Sequence, residues 1–154
     1  MKALAAPLIA LAIVLIGWTT ADNASADRVY HSSHIALHPV ANAPLRAGFV
    51  ENVHPNGPNV FARERYVLVG ASPNVSFAIT LRVHTASPVC AGDALAIPSV
   101  AIETNNVGNG SAQLLIPPEA IGPDLHGATV GVVWEFSRGG EVVYETNCET
   151  VSLD

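Results

Sequence analysis

Lysine is almost missing from this chain: Lys2 is the only one in 154 residues. Charged residues of both signs make up only 13% of the composition, and the formal net charge is −6. An acidic chain with no lysine beyond its second residue offers no cationic track for phosphate, so nucleic acid is excluded as an expected partner. It is also a poor electrostatic ligand for anionic lipid. Aromatic residues are scarce at 6%. Cysteine is scarcer still, with Cys90 and Cys148 alone and no Cys-x-x-Cys spacing to suggest a redox or zinc motif. No second long apolar run follows the first, so no membrane span is expected beyond the N-terminal segment.

That first run is the clearest positive feature. Lys2 precedes an apolar stretch from Ala3 to Trp18, followed by a polar step and by Ala24-Ser25-Ala26. A charged start, a greasy centre and a small-residue end form the pattern of a cleavable export signal. Its apolar part, about 15 residues, is shorter than the ~20 needed to cross a bilayer. We expect residues 1–26 to be a signal peptide cut after Ala26, and residues 27–154 to form one secreted, extracytoplasmic domain, with 27–40 as a flexible N-terminal arm. In that compartment a lone pair of cysteines reads as a Cys90–Cys148 disulfide.

Helical periodicity is also lacking after residue 26. Short alternating or β-branched runs occur instead, separated by Gly, Pro and Asn clusters, and the 12 Gly and 11 Pro fall mostly between them. This spacing predicts an all-β, antiparallel sandwich of about 7–8 strands. The clearest strand is Val75–Thr85, with Phe77, Ile79, Leu81 and Val83 on one face and Ser76, Ala78, Thr80, Arg82 and His84 on the other. Further strands are expected at Ile35–Val40, Ala47–Val53, Phe61–Gly70, Ser99–Thr104 and Ser111–Ile116. Pro117–Gly127 reads as a long loop with one helical turn at Pro118–Ile121. For the last hairpin, a three-residue loop Arg138-Gly139-Gly140 would pair Phe136 with Val142 and Trp134 with Tyr144. That register places Cys148 in the core beside Trp134.

The stretch Val69-Gly70-Ala71-Ser72-Pro73-Asn74-Val75-Ser76-Phe77-Ala78-Ile79-Thr80-Leu81 resembles the Gly-x-x-Pro-Gly/Asn-Thr-x-Tyr-x-Val phrase of fibronectin type III and related immunoglobulin-like modules. The resemblance covers about 13 residues and implies an immunoglobulin-like sandwich. It departs from the phrase where Phe77 replaces the corner tyrosine, and it transfers no functional residue.

Two clusters could carry chemistry. His31, His34 and His38 gather half of the six histidines and suggest a copper or zinc site. On an extended strand, however, His34 and His38 lie roughly 13 Å apart and His31 points the other way, so surface histidines are the competing reading. Glu135, Glu141, Glu145 and Glu149 fall on the hairpin face opposite Trp134, as a calcium-binding stripe or as a solvated edge. Catalytic signatures such as Gly-x-Ser-x-Gly and His-Glu-x-x-His are not found. The expected function is therefore a secreted, disulfide-stapled, non-catalytic binding or structural module without a cofactor, whose ligand is extracellular or in the cell envelope. The contacts would lie in the loops Val53–Asn59, Asn105–Gly110 and Pro117–Gly127. The alternative is an extracytoplasmic transition-metal protein using the three histidines.

Overall fold

The computed structural model describes residues 31–40, 42–54, 62–120, 122–125 and 127–153. The expected export signal, the Ala26 cleavage point and most of the Val53–Asn59 loop lie outside the described residues. Nine strands follow in order: β1 (His31–Pro39), β2 (Ala47–His54), β3 (Ala62–Val69), β4 (Ser76–His84), β5 (Leu95–Glu103), β6 (Gly110–Ile116), β7 (Ala128–Arg138), β8 (Glu141–Thr146) and β9 (Glu149–Leu153). Two 3-10 turns, Pro118–Ala120 and Pro123–Leu125, fill the connection between β6 and β7. Among the described residues no helix is long and apolar enough to cross a membrane.

Every ladder is antiparallel, and the strands form one path, β5-β4-β7-β8-β1-β2-β3-β6, with β9 paired to β7. The expected sandwich is thus a sheet bent almost into a barrel. β1 makes the bend: residues 31–36 pair with β2, while Leu37, His38 and Pro39 pair with β8. The segment expected as an arm is, over His31–Pro39, a strand in the middle of this path. The far ends of the path, β5 and β6, are joined by the tight Thr104–Asn109 connection but share no ladder among the described residues.

Alternation decides which face is buried. In β4, Phe77, Ile79, Leu81 and Val83 point inward as expected. In β3 the inward positions are Ala62, Glu64, Tyr66 and Leu68, while Arg63 and Arg65 face water. Aromatic side chains fill one half of the interior: Tyr66 meets Phe136 edge-on with ring centroids 5.9 Å apart, and Phe77 packs against Tyr144 at 5.3 Å.

The terminal hairpin corrects the expected register. Gly139 and Gly140, both at positive φ, make a two-residue turn that pairs Arg138 with Glu141. One extra residue, Val143, then bulges out of β8, so that Phe136 faces Tyr144 rather than Val142. The bulge achieves what a longer loop was expected to do, keeping Trp134, Phe136 and Tyr144 on one buried face.

Pairing along this edge stops at Asn147-Cys148, and β9 resumes it against the first half of β7. Cys148 is consequently exposed rather than packed beside Trp134. It does form the expected disulfide with Cys90, bridging the loop after β4 to the break between β8 and β9. Closing that loop of 58 residues is worth about 4 kcal/mol on the chain-entropy account. Gly131 makes the bridge possible, because a Cβ there would come within 2.8 Å of the Cys90 backbone nitrogen and sulfur.

The corner that resembles the fibronectin phrase is tied by a threonine. The Thr104 hydroxyl accepts from the Val75 N–H at 3.0 Å and donates to the Ser72 carbonyl at 2.7 Å. Beside it, Gly108 (φ +76°) admits no side chain, since a Cβ would sit 2.0 Å from the Ala71 carbonyl oxygen.

Candidate functional site

The second half of the interior is not filled. There a cavity of about 280 Å³ lies between the strands. Its walls are aliphatic: Leu81 and Val83 from β4, Leu114 and Ile116 from β6, Val130 and Val132 from β7, and Val151 and Leu153 from β9. Pro117, Ala120 and Leu125 of the 3-10 connection close one side. Ile97 of β5 and Leu115 of β6 line the cavity yet are 41% and 54% exposed. The cavity therefore reaches the surface along the unpaired seam between those two strands. An apolar hollow at the end of a barrel, carrying a few convergent polar groups, has the general form of a small-molecule site.

The polar groups come together on the cavity floor around Glu64, whose side chain is essentially inaccessible to solvent (1% exposed). Asn52 Nδ2 donates to its Oε1 at 3.1 Å, and the Trp134 indole N–H donates to the same oxygen at 3.1 Å. The Tyr66 hydroxyl donates to Oε2. Tyr66 also meets Ser99 Oγ at 2.9 Å. Asn52, Glu64, Ser99 and Trp134 all line the cavity, as does His54. A bulge in β5 helps to place Ser99: one additional residue is accommodated between the Ala78–Ala101 and Thr80–Pro98 pairs.

Burial dominates the electrostatics. Loss of water raises the Glu64 carboxyl above its ordinary range, and the hydrogen bonds from Tyr66, Trp134 and Asn52 pull against that shift without cancelling it. Desolvation, the neighbouring Glu64 charge and the bond to Glu64 all raise the Tyr66 phenol, so it stays protonated and serves as a donor.

Two of the histidines singled out in the sequence, His34 and His38, lie away from this floor. His34 and His38 are exposed on the outer face of β1, where His34 lies against Phe49 with ring centroids 4.2 Å apart. In the β1–β2 ladder His31 stands opposite His54. Among the described residues no three His, Cys, Asp or Glu side chains converge in a way that could hold a metal ion. The acidic stripe is broken as well. Glu135 and Glu145 stand directly opposite each other, with Arg82 3.9 Å from Glu135. Glu149 instead stands across from Val132, on the face that Trp134 shares, because the chain breaks before β9.

Of the three expected contact loops, Pro117–Gly127 borders the cavity, whereas Asn105–Gly110 lies at the opposite end of β5 and β6. Sequence reasoning missed Glu64. The available signal was the alternation Ala62-Arg63-Glu64-Arg65-Tyr66, which puts a carboxylate in phase with the inward Tyr66 and Leu68.

No family model matches the chain, and no curated protein or solved structure is significantly similar to it.

Proposed function

We propose that this chain is an exported, non-catalytic binding module that carries a small, largely apolar molecule in the barrel cavity. The observation that carries this reading is the cavity itself: about 280 Å³, aliphatic on its walls, polar only on its floor and open along one seam. A void of about 150 Å³ lined by aliphatic side chains is enough to hold benzene, so this one suits a body of roughly ten non-hydrogen atoms. Two features support export, namely the N-terminal pattern of charged, apolar and small residues and a disulfide suited to an oxidising compartment.

Trp134 borders the cavity, and the chain's only other tryptophan is Trp18. The full chain carrying Trp18→Phe can therefore be titrated with naphthalene or propylcyclohexane while Trp134 emission is followed. We expect saturable one-to-one binding with a Kd of about 10–100 μM, equivalent to roughly −5.5 to −7 kcal/mol. A linear, unsaturable response to both compounds would remove the reading.

A further inference from the structure

We infer that the molecule this cavity is built to take is a primary amine, with its apolar body against the aliphatic wall and its ammonium head between Glu64 and Ser99. The inference rests on the reading of the cavity as a small-molecule site and adds the chemistry of the ligand.

It follows from a count of protons on the cavity floor. With Glu64 ionised, the one hydroxyl proton of Tyr66 is given to Glu64 Oε2. In the contact with Ser99, the Tyr66 oxygen must therefore accept and Ser99 must donate. That spends the serine proton and leaves the oxygen of Ser99, which lines the cavity, as an acceptor. Glu64 Oε1 already takes two donors, from Asn52 and Trp134, whereas Oε2 takes one among the described residues and keeps a lone pair to accept with. Glu64 and Ser99 therefore both offer acceptors. Both also lie within hydrogen-bonding reach of the same phenol oxygen, so a single head group can span them. A primary ammonium, with three donors, matches such a floor better than an alcohol with one.

Charge points the same way. A carboxylate out of water is costly without a countercharge, even when it is well hydrogen-bonded. Among the described residues no arginine supplies one. Arg63 and Arg65 flank Glu64 in sequence but face outward, Arg82 sits beside Glu135, and Arg46 and Arg138 are exposed. The only lysine is Lys2. A ligand cation would provide the partner that these arginines do not, and the chain's net charge of −6 would draw it in.

Three isosteres separate this inference from the broader reading: 2-cyclohexylethylamine, 2-cyclohexylethanol and propylcyclohexane. Each is titrated into the full chain and into Glu64→Gln, whose amide can keep its oxygen towards Asn52 and Trp134 and turn its nitrogen to Tyr66. We expect the amine to bind the unaltered chain at least tenfold tighter than the other two at pH 7. In Glu64→Gln that advantage should disappear, while an unaltered far-UV circular dichroism spectrum and a cooperative urea transition show that the variant is folded. Equal affinity for amine and alcohol, or an amine preference that survives Glu64→Gln, would overturn the inference and leave the apolar-carrier reading standing. Failure of all three compounds to bind the unaltered chain would overturn both.

Discussion

Taking a carboxyl group out of water costs several kcal/mol unless donors replace the solvent, and around Glu64 three of them do. Glu64→Ala leaves the Asn52, Trp134 and Tyr66 donors facing an empty volume, at about 1–3 kcal/mol for each buried group that finds no new partner. We expect that variant to lose roughly 3 kcal/mol or more in urea unfolding, and Glu64→Gln to stay within about 1 kcal/mol of the original. The pH dependence has a definite sign. The folded pKa of Glu64 lies above its unfolded value near 4.5, so between the two the native state holds the extra proton. Its contribution is therefore fully present below pH 4.5 and declines as pH rises through the folded value. The stability of the original chain relative to Glu64→Gln should fall over that interval and then level off, as followed by urea midpoints at successive pH values. A flat difference would show that the two states share one pKa. Gly108 is a second sensitive residue. Gly108→Ala places a methyl group against the Ala71 carbonyl at a positive φ, so its cost should exceed the 1–2 kcal/mol of left-handed backbone alone.

Strands were legible where their two faces differ in polarity. β4 was read almost to its ends because apolar and polar residues alternate without a break from Ser76 to His84. β5 was entered too late: Leu95, Ala96, Ile97 and Pro98 are all exposed on a strand with one partner, so no alternation marks its start. The β7–β8 register was missed because a bulge leaves no mark in composition. Val143 reads as one more apolar residue, yet it shifts the pairing of everything after it. The break at Asn147-Cys148, which composition does not mark either, explains why Cys148 and Glu149 are not where a continuous strand would have put them. Glu64 escaped notice for a different reason: a charged residue in phase with core positions contradicts the expectation of an apolar inner face. The β7–β8 turn offers a direct check at this scale. Gly140 has φ +88°, and Gly140→Ala meets no atom within 4 Å, so its cost is backbone strain alone. We expect about 1–2 kcal/mol in thermal or urea unfolding, with ligand affinity unchanged.

Considered whole, the barrel is packed with aromatic rings at one end and hollow at the other. Filling the hollow should stabilise the fold at the expense of its proposed use. Val132→Phe, which adds a ring inside the cavity, is expected to raise stability by about 0.5–2 kcal/mol and to abolish saturable naphthalene binding. The opposite outcome, lower stability with binding retained, would mean that the cavity wall cannot yield to the ring. The disulfide acts at the same scale. Cys148→Ser should cost about 4 kcal/mol, read as a lower urea midpoint that reducing agent does not lower further.

β1 also dictates an order of events. The strand that joins the two halves of the barrel is the first one described, and its partner β8 enters the chain only after β7. Whenever the polypeptide emerges N-terminus first, from a ribosome or through a pore, Leu37 must wait for Thr146 before the curved wall can be completed. Until then β1 can zip only onto β2, and its remaining residues stay uncommitted. The architecture thus keeps the nascent chain from closing prematurely, and it makes arrival of the last hairpin the step that seals the vessel.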